Sequence, residues 1–187
     1  MAPFVCPWWL GYFLISPLRR YAHDPGRIVG PHIGPGMTVV DFGCGMGHFS
    51  LPMATMVGPK GRVVCVDIQP KMLAGLARRA AKAGLTERLD LRVASPDGPG
   101  LAGLAGQVDF VLAFYVAHEL PDSALLFTEL ASTLATHRCL LLAEPILHVR
   151  KGSFSDTVAA AERAGFMVVD RPTIRRSRAV LLTRSEI

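Results

Sequence analysis

The stretch Asp41-Phe42-Gly43-Cys44-Gly45-Met46-Gly47-His48 sets a carboxylate ahead of three glycines at alternate positions, directly after the apolar run Met37-Thr38-Val39-Val40. Glycines so spaced let a backbone approach a ligand closely and take turns that side chains forbid. Two familiar ligands do not fit. A dinucleotide turn wants Gly-x-Gly-x-x-Gly with a pyrophosphate on the next helix, and Asp41 would repel that anion. A nucleotide-phosphate loop needs Gly-Lys-Ser/Thr after its glycines, and none follows here. A carboxylate in this place suits a cationic ammonium group.

Further along, His118 and Glu119 follow one apolar run, and Glu144 and His148 follow another. His118 has the side chain to take a proton from a nucleophile near neutral pH. Its other reading is a capping or hydrogen-bonded structural histidine. Two histidines and two carboxylates raise the question of a metal. They sit on different loops without diagnostic spacing, so none is expected.

These residues must be held by regular elements, and the chain alternates between strand-like and helix-like segments from Gly36 onward. Strands are expected at Met37–Phe42, Arg62–Asp67, Leu89–Ala94, Val108–Tyr115 and Cys139–Ala143. Helices are expected from the glycine turn to about Val57, from Pro70 to Gly84, over Asp122–Ala135 and over Phe154–Ala164. Phe166–Asp170 and Ala179–Thr183 read as a closing pair. Strands apolar on both faces and separated by helices imply a parallel sheet covered on both sides. Ligands of such sheets bind at the carboxyl ends of the strands, which is where the glycine turn, Asp67, His118 and Glu144 fall.

With these features in place, Asp41–Gly47 resembles motif I of the class I S-adenosylmethionine-dependent methyltransferases. The resemblance covers about residues 36–187 and gains weight from the second acid, Asp67, and from the element order. It implies an α/β, Rossmann-like doubly wound sheet, mostly parallel with an antiparallel last strand, and helices on both faces. It implies S-adenosylmethionine as cofactor, held by Asp41, Phe42, Gly43, Gly45, Gly47 and His48. Asp67 and Ile68 would meet the ribose, Met72, Ala94, Ser95 and Asp97 the adenine region, and Phe114 the sulfonium. His118-Glu119-Leu120-Pro121, with Ala143-Glu144-Pro145, is similar to the ubiquinone/menaquinone-methylase-like branch. The Asn/Asp-Pro-Pro-Tyr/Phe tetrapeptide of many base amino-methylases is absent, so DNA is not expected as a partner. Ala135-Thr136-His137-Arg138 replaces the usual Pro-Gly-Gly before the fifth strand.

The composition fits this reading. The chain has 187 residues, half of them hydrophobic, and a formal charge of +5. That length suffices for one domain with a real core. Cys6, Cys44, Cys65 and Cys139 are scattered without metal or disulfide spacing, which suits a reducing cytoplasm. The apolar segment around Trp8, Trp9 and Tyr12 is too short to span a bilayer and has its arginines behind it, unlike a secretory signal. A short helix is expected there, ending at Ser16-Pro17. We read residues 1–30 as a helical extension covering the substrate pocket and residues 31–187 as the cofactor-binding domain. Packing against the core or a second subunit, and contact with a membrane interface, are the other readings of the extension. The acceptor pocket would take Trp8, Trp9, Tyr12, Tyr115, Glu144 and His148. The expected substrate is a small molecule methylated at O, C or N. An RNA methyltransferase using the arginines of residues 171–184, or a non-catalytic S-adenosylmethionine-binding protein, is the alternative. Those arginines suit an anionic substrate, nucleic acid or a membrane surface, and a solubilising face beside a terminal strand is their plainer reading.

Overall fold

The computed structural model describes residues 7–11, 17–95, 98–120 and 123–184. The chain divides into two compact units, residues 6–100 and residues 101–187.

In the first unit a 3-10 turn at Trp8–Leu10 precedes two short helices, α1 (Pro17–Ala22) and α2 (Pro25–Ile28). The helix end expected at Ser16-Pro17 lies outside the described residues, and Pro17 opens α1. The reason is physical: a proline lacks the N–H that a first-turn residue would leave unpaired. Three strands follow, β1 (Thr38–Phe42), β2 (Arg62–Asp67) and β3 (Leu89–Val93), in the order β3-β2-β1 and all parallel. Between them run α3 (Ser50–Val57) and α4 (Pro70–Ala83). Val39, Val40, Val63, Val64 and Val66 are buried with Met53 and Leu76. The near-continuous valine runs are therefore strand core, as a sheet buried on both faces demands.

The second unit holds β4 (Val108–Phe114), α5 (Ser123–Thr133), β5 (Leu134–Pro145), α6 (Lys151–Arg163), β6 (Phe166–Asp170) and β7 (Ser177–Arg184). β5 runs parallel to β4, and β7 runs antiparallel to both β5 and β6. Phe110, Leu112, Phe127, Leu130, Leu140 and Leu182 form its core, with Phe127 edge-on to Phe166. The seven strands and their directions are those of the Rossmann-like doubly wound class, with an antiparallel last strand.

β5 begins five residues earlier than the hydrophobic run suggests. Val108 pairs with Leu134 and Phe110 with Cys139, so residues 135–138 bulge out of the ladder. His137 stands at the left-handed turn of that bulge (φ 62°), and Arg138 Nη2 reaches Asp109 at 3.1 Å. Polar residues and a broken alternation hide this stretch from a periodicity argument. The helix expected over Asp122–Ala135 begins, within the described residues, at Ser123; Asp122 lies outside them.

Candidate functional site

Two groups of residues stand at carboxyl ends of strands, one in each unit.

The first begins where β1 runs out. Gly43, Gly45 and Gly47 all take positive φ (76°, 54° and 80°). The N–H groups of Gly43 and Cys44 both donate to the Val66 carbonyl, tying the turn to β2. Asp67, the last residue of β2, accepts from the Gly45 N–H and the Gln69 N–H at 2.8 Å each. One carboxylate thus fixes both the glycine turn and the loop into α4. Each of its oxygens keeps a further lone pair for a hydroxyl. A Cβ at Gly47 would fall 2.3 Å from the Leu76 side chain, while a Cβ at Gly45 would meet no heavy atom within 4 Å. One glycine is therefore needed for close helix packing, and another fronts open space.

Asp41 is only 3% exposed and accepts from Ser50 Oγ at 2.5 Å. Burial pushes its carboxyl up to about 6, with the Ser50 hydroxyl and the Arg19 charge opposing. Asp67 is raised too, by burial against two backbone donors. His48 donates Nε2–H to the His23 carbonyl at 2.9 Å and stacks edge-on with Phe49. Burial lowers it to about 4, so it is neutral at pH 7. The Arg79 guanidinium donates to the Met46 carbonyl from the next helix. Phe42 and Met72 are buried, Ala94 is half-buried with its N–H on the Asp67 carbonyl, and Ile68 and Ser95 are exposed. Asp97 lies outside the described residues. A Cβ at Gly11 would lie 2.8 Å from Met72 Sδ and 3.0 Å from Met46 Cε, so the N-terminal turn seats its backbone on those methionines. Trp8 lies under the Lys71 ammonium, 4.9 Å from ring centroid to Nζ, while Trp9 is exposed and Tyr12 lies outside the described residues.

The second group follows β4 and β5. Glu144, 1% exposed, spends one carboxylate oxygen on the N–H groups of Ala117 (2.8 Å) and His118 (3.3 Å). Its other oxygen lies 2.5 Å from His118 Nδ1. The hydrogen bond that His118 donates to Glu144 raises it above its ordinary value of 6.5, against the opposing effect of burial. Because the carboxylate accepts at Nδ1, Nε2 carries the lone pair in the neutral ring. Glu144, expected against the acceptor, has both carboxylate oxygens bonded to the Ala117–His118 turn. Tyr115 has a left-handed backbone (φ 64°), stacks on Phe114, and shares a 2.7 Å hydrogen bond with Ser177. His148 is exposed on the loop after β5.

Ser50, Arg79 and Ser177 escape sequence reasoning. Ser50 has a faint signal, a serine opening the helix after an acid-led turn, whereas Arg79 and Ser177 have none. Among the described residues no three of His, Cys, Asp and Glu converge as metal ligands, and no helix is long and apolar enough to cross a membrane.

Comparison with known proteins agrees with this geometry. The family described as "Methyltransferase domain" matches residues 39–137, more than half of the chain. Nocamycin O-methyltransferase of Saccharothrix syringae is 40% identical over 88 residues, 47% of this chain and 30% of that protein. Aklanonic acid methyltransferase of Streptomyces sp. (strain C5) is 32% identical over 114 residues, 61% of this chain and 48% of that protein. The chain thus matches less than half the length of these curated relatives. A SAM-dependent methyltransferase from Aquifex aeolicus shares the fold with a TM-score of 0.82 at 22% identity, covering 96% of this chain and 98% of that one. A glycine turn led by Asp41, a second acid at the tip of β2 and the matched family together show that the chain belongs to the class I S-adenosylmethionine-dependent methyltransferases.

Proposed function

We propose that this protein transfers the methyl group of S-adenosylmethionine to a small organic acceptor, with His118 as the base and Glu144 as the residue that orients it. The observation that carries this is the His118–Glu144 pair. A buried carboxylate bonded to one imidazole and to the Ala117 and His118 N–H groups is an arrangement that aims a histidine lone pair. When bound, the cofactor supplies a methyl group on cationic sulfur, which a nucleophile displaces directly.

The chain's own residues supply alignment and proton removal. The open side of the turn at Gly45 leaves backbone room for the cofactor, and the carboxylate of Asp67 offers lone pairs to its hydroxyls. The buried charge of Asp41 beneath the turn favours a cationic group above it. Phe42, Gly43, Gly47, His48, Ile68, Met72, Ala94, Ser95, Asp97 and Phe114 complete the proposed cofactor set. An O–H or N–H acceptor gives up its proton to His118 Nε2 as the new bond forms. Tyr115, His148 and the N-terminal aromatics Trp8, Trp9 and Tyr12 are proposed to face the acceptor. Residues 1–30 act as the cover, a reading supported by the seat of Gly11 on Met46 and Met72.

Calorimetric titration with S-adenosylmethionine and with its demethylated product, with NAD as control, tests the cofactor. Micromolar binding of the first two and none of NAD is expected; silence of both adenosyl ligands overturns the reading. Radiolabelled methyl transfer to an acceptor panel then tests catalysis. His118→Ala is expected to cut turnover roughly 10²- to 10⁴-fold with cofactor affinity unchanged. Undiminished turnover would return His118 to a structural role.

A further inference from the structure

Two loops beside the histidine turn carry cations of a single sign. Residues 145–151 hold Arg150 and Lys151, residues 171–178 hold Arg171, Arg175, Arg176 and Arg178, and neither stretch contains an acidic residue. A face that serves solubility intersperses both signs. Far apart in sequence, these loops are bonded together. Arg178 spends its guanidinium inside the assembly, donating from Nη1 to the Val149 carbonyl at 2.7 Å. The Ile146 N–H donates to the Arg176 carbonyl at 3.1 Å. Tyr115, three residues before His118, has its hydroxyl within 3.2 Å of that same carbonyl.

The joint is also strained. Tyr115 and Arg176 are two of three non-glycine residues with positive φ among those described (64° and 57°). Left-handed backbone at bulky residues costs of order 1 kcal/mol or more each and persists where surrounding bonds enforce it, often at ligand sites. Here the enforced turn leaves Arg176, Arg150 and Lys151 exposed, and among the described residues none of these three has an ion-pair partner. Between the cations lie Ile146, 43% exposed, and Leu147, 81% exposed. The loop therefore offers apolar surface and uncompensated positive charge together.

We infer that these loops form an acceptor subsite for an organic anion, a molecule with an apolar body on Ile146 and Leu147 and a carboxylate or phosphate met by Arg150, Lys151 and Arg176. The inference rests on the methyltransferase reading and narrows its substrate class. A nucleic acid fits less well. Sequence-tolerant RNA surfaces interleave cations with aromatic rings for stacking, and Tyr115, whose hydroxyl is engaged by the loop, has its ring stacked on Phe114.

The test titrates the full chain with phenyl phosphate, inorganic phosphate, phenol, a single-stranded RNA 20-mer and S-adenosylmethionine, alongside the variant Arg150→Gln/Lys151→Gln/Arg176→Gln. Phenyl phosphate is expected to bind more tightly than either of its halves, and the variant to weaken it roughly tenfold or more. Affinity for S-adenosylmethionine is expected to match in the two proteins, which also shows that the variant is folded. Equal or absent phenyl phosphate binding in both proteins overturns the inference. So does RNA binding that the variant abolishes while phenyl phosphate stays silent, which would make the surface one for nucleic acid. If phenyl phosphate behaves as expected and S-adenosylmethionine fails to bind, the methyltransferase reading falls and the anion subsite stands.

Discussion

The turn after β1 and the turn after β4 are built on opposite plans. The first is made of backbone: three positive-φ glycines, N–H groups tied to the Val66 carbonyl and Asp67, and a carboxylate sealed beneath. The second is made of side chains: a part-exposed histidine, a buried glutamate and a tyrosine clamp. A cofactor of fixed shape can be met by fixed backbone. An acceptor that must lose a proton needs a side chain whose protonation changes. The difference predicts that substitutions in the first turn act on folding and cofactor affinity, and substitutions in the second on turnover and its pH dependence.

The sharpest break in that contrast would come from Glu144→Gln. The Gln oxygen would stay on the Ala117 and His118 N–H groups, turning its NH₂ toward Nδ1. The ring would then accept there, carry its proton on Nε2, and cease to be a base. Turnover is expected to fall roughly 10²- to 10⁴-fold with cofactor affinity intact. A variant that also loses the cofactor would show that the two turns are not separable.

Next in size is the glycine pair. Gly47→Ala drives a Cβ into Leu76 at positive φ and is expected to cost about 2–4 kcal/mol of stability by denaturant titration. Gly45→Ala meets no neighbour, so its fold should lose only about 1 kcal/mol. Its cofactor affinity is expected to drop at least as far as that of Gly47→Ala. Equal effects of the two on stability would remove the distinction between a packing glycine and a ligand-facing one.

Asp41→Asn tests the sealed charge. With its carboxyl at about 6 in the fold and near 3.8 when unfolded, Asp41 binds a proton more readily folded. The fold therefore gains stability as pH falls from about 6 toward 4, and at pH 7 the buried charge costs at most about 3 kcal/mol. Asparagine still accepts from Ser50, so the melting temperature at pH 7 should rise and the cofactor should bind more weakly. Unchanged binding would make Asp41 purely structural. The smallest effect expected is on the pH profile of the wild type. His118 is raised, so its bond to Glu144 stabilises fully below about 6.5 and is lost as pH rises through the raised value. Turnover should climb over that same window, above pH 6.5.

Much of the first turn is legible in the sequence, because its signals are local. An acid, alternating glycines and a second acid at the end of the next valine run lie within one βαβ unit, and spacing along the chain carries them. The strands Arg62–Asp67 and Phe166–Asp170 and the helix from Pro70 have the bounds expected of them. Less is legible in the second turn. His118 stands out by residue type, but the sequence points Glu144 at the acceptor, because nothing along the chain says which residue a carboxylate 26 positions away will face. The bulge at residues 135–138 is hidden for a related reason, since only the partner strand shows that Leu134 is already in register.

By itself, then, the sequence determined the order of elements, the buried valine strands, the glycine turn and the family to which that turn belongs. All of these depend on interactions between near neighbours and on the period of apolar residues. Tertiary structure alone decided that Ser50 holds Asp41, that Glu144 aims His118, and that Tyr115 grips a loop 62 residues away. Pairing of that kind is set by strand register, and burial then makes each unpaired polar atom expensive enough to enforce it.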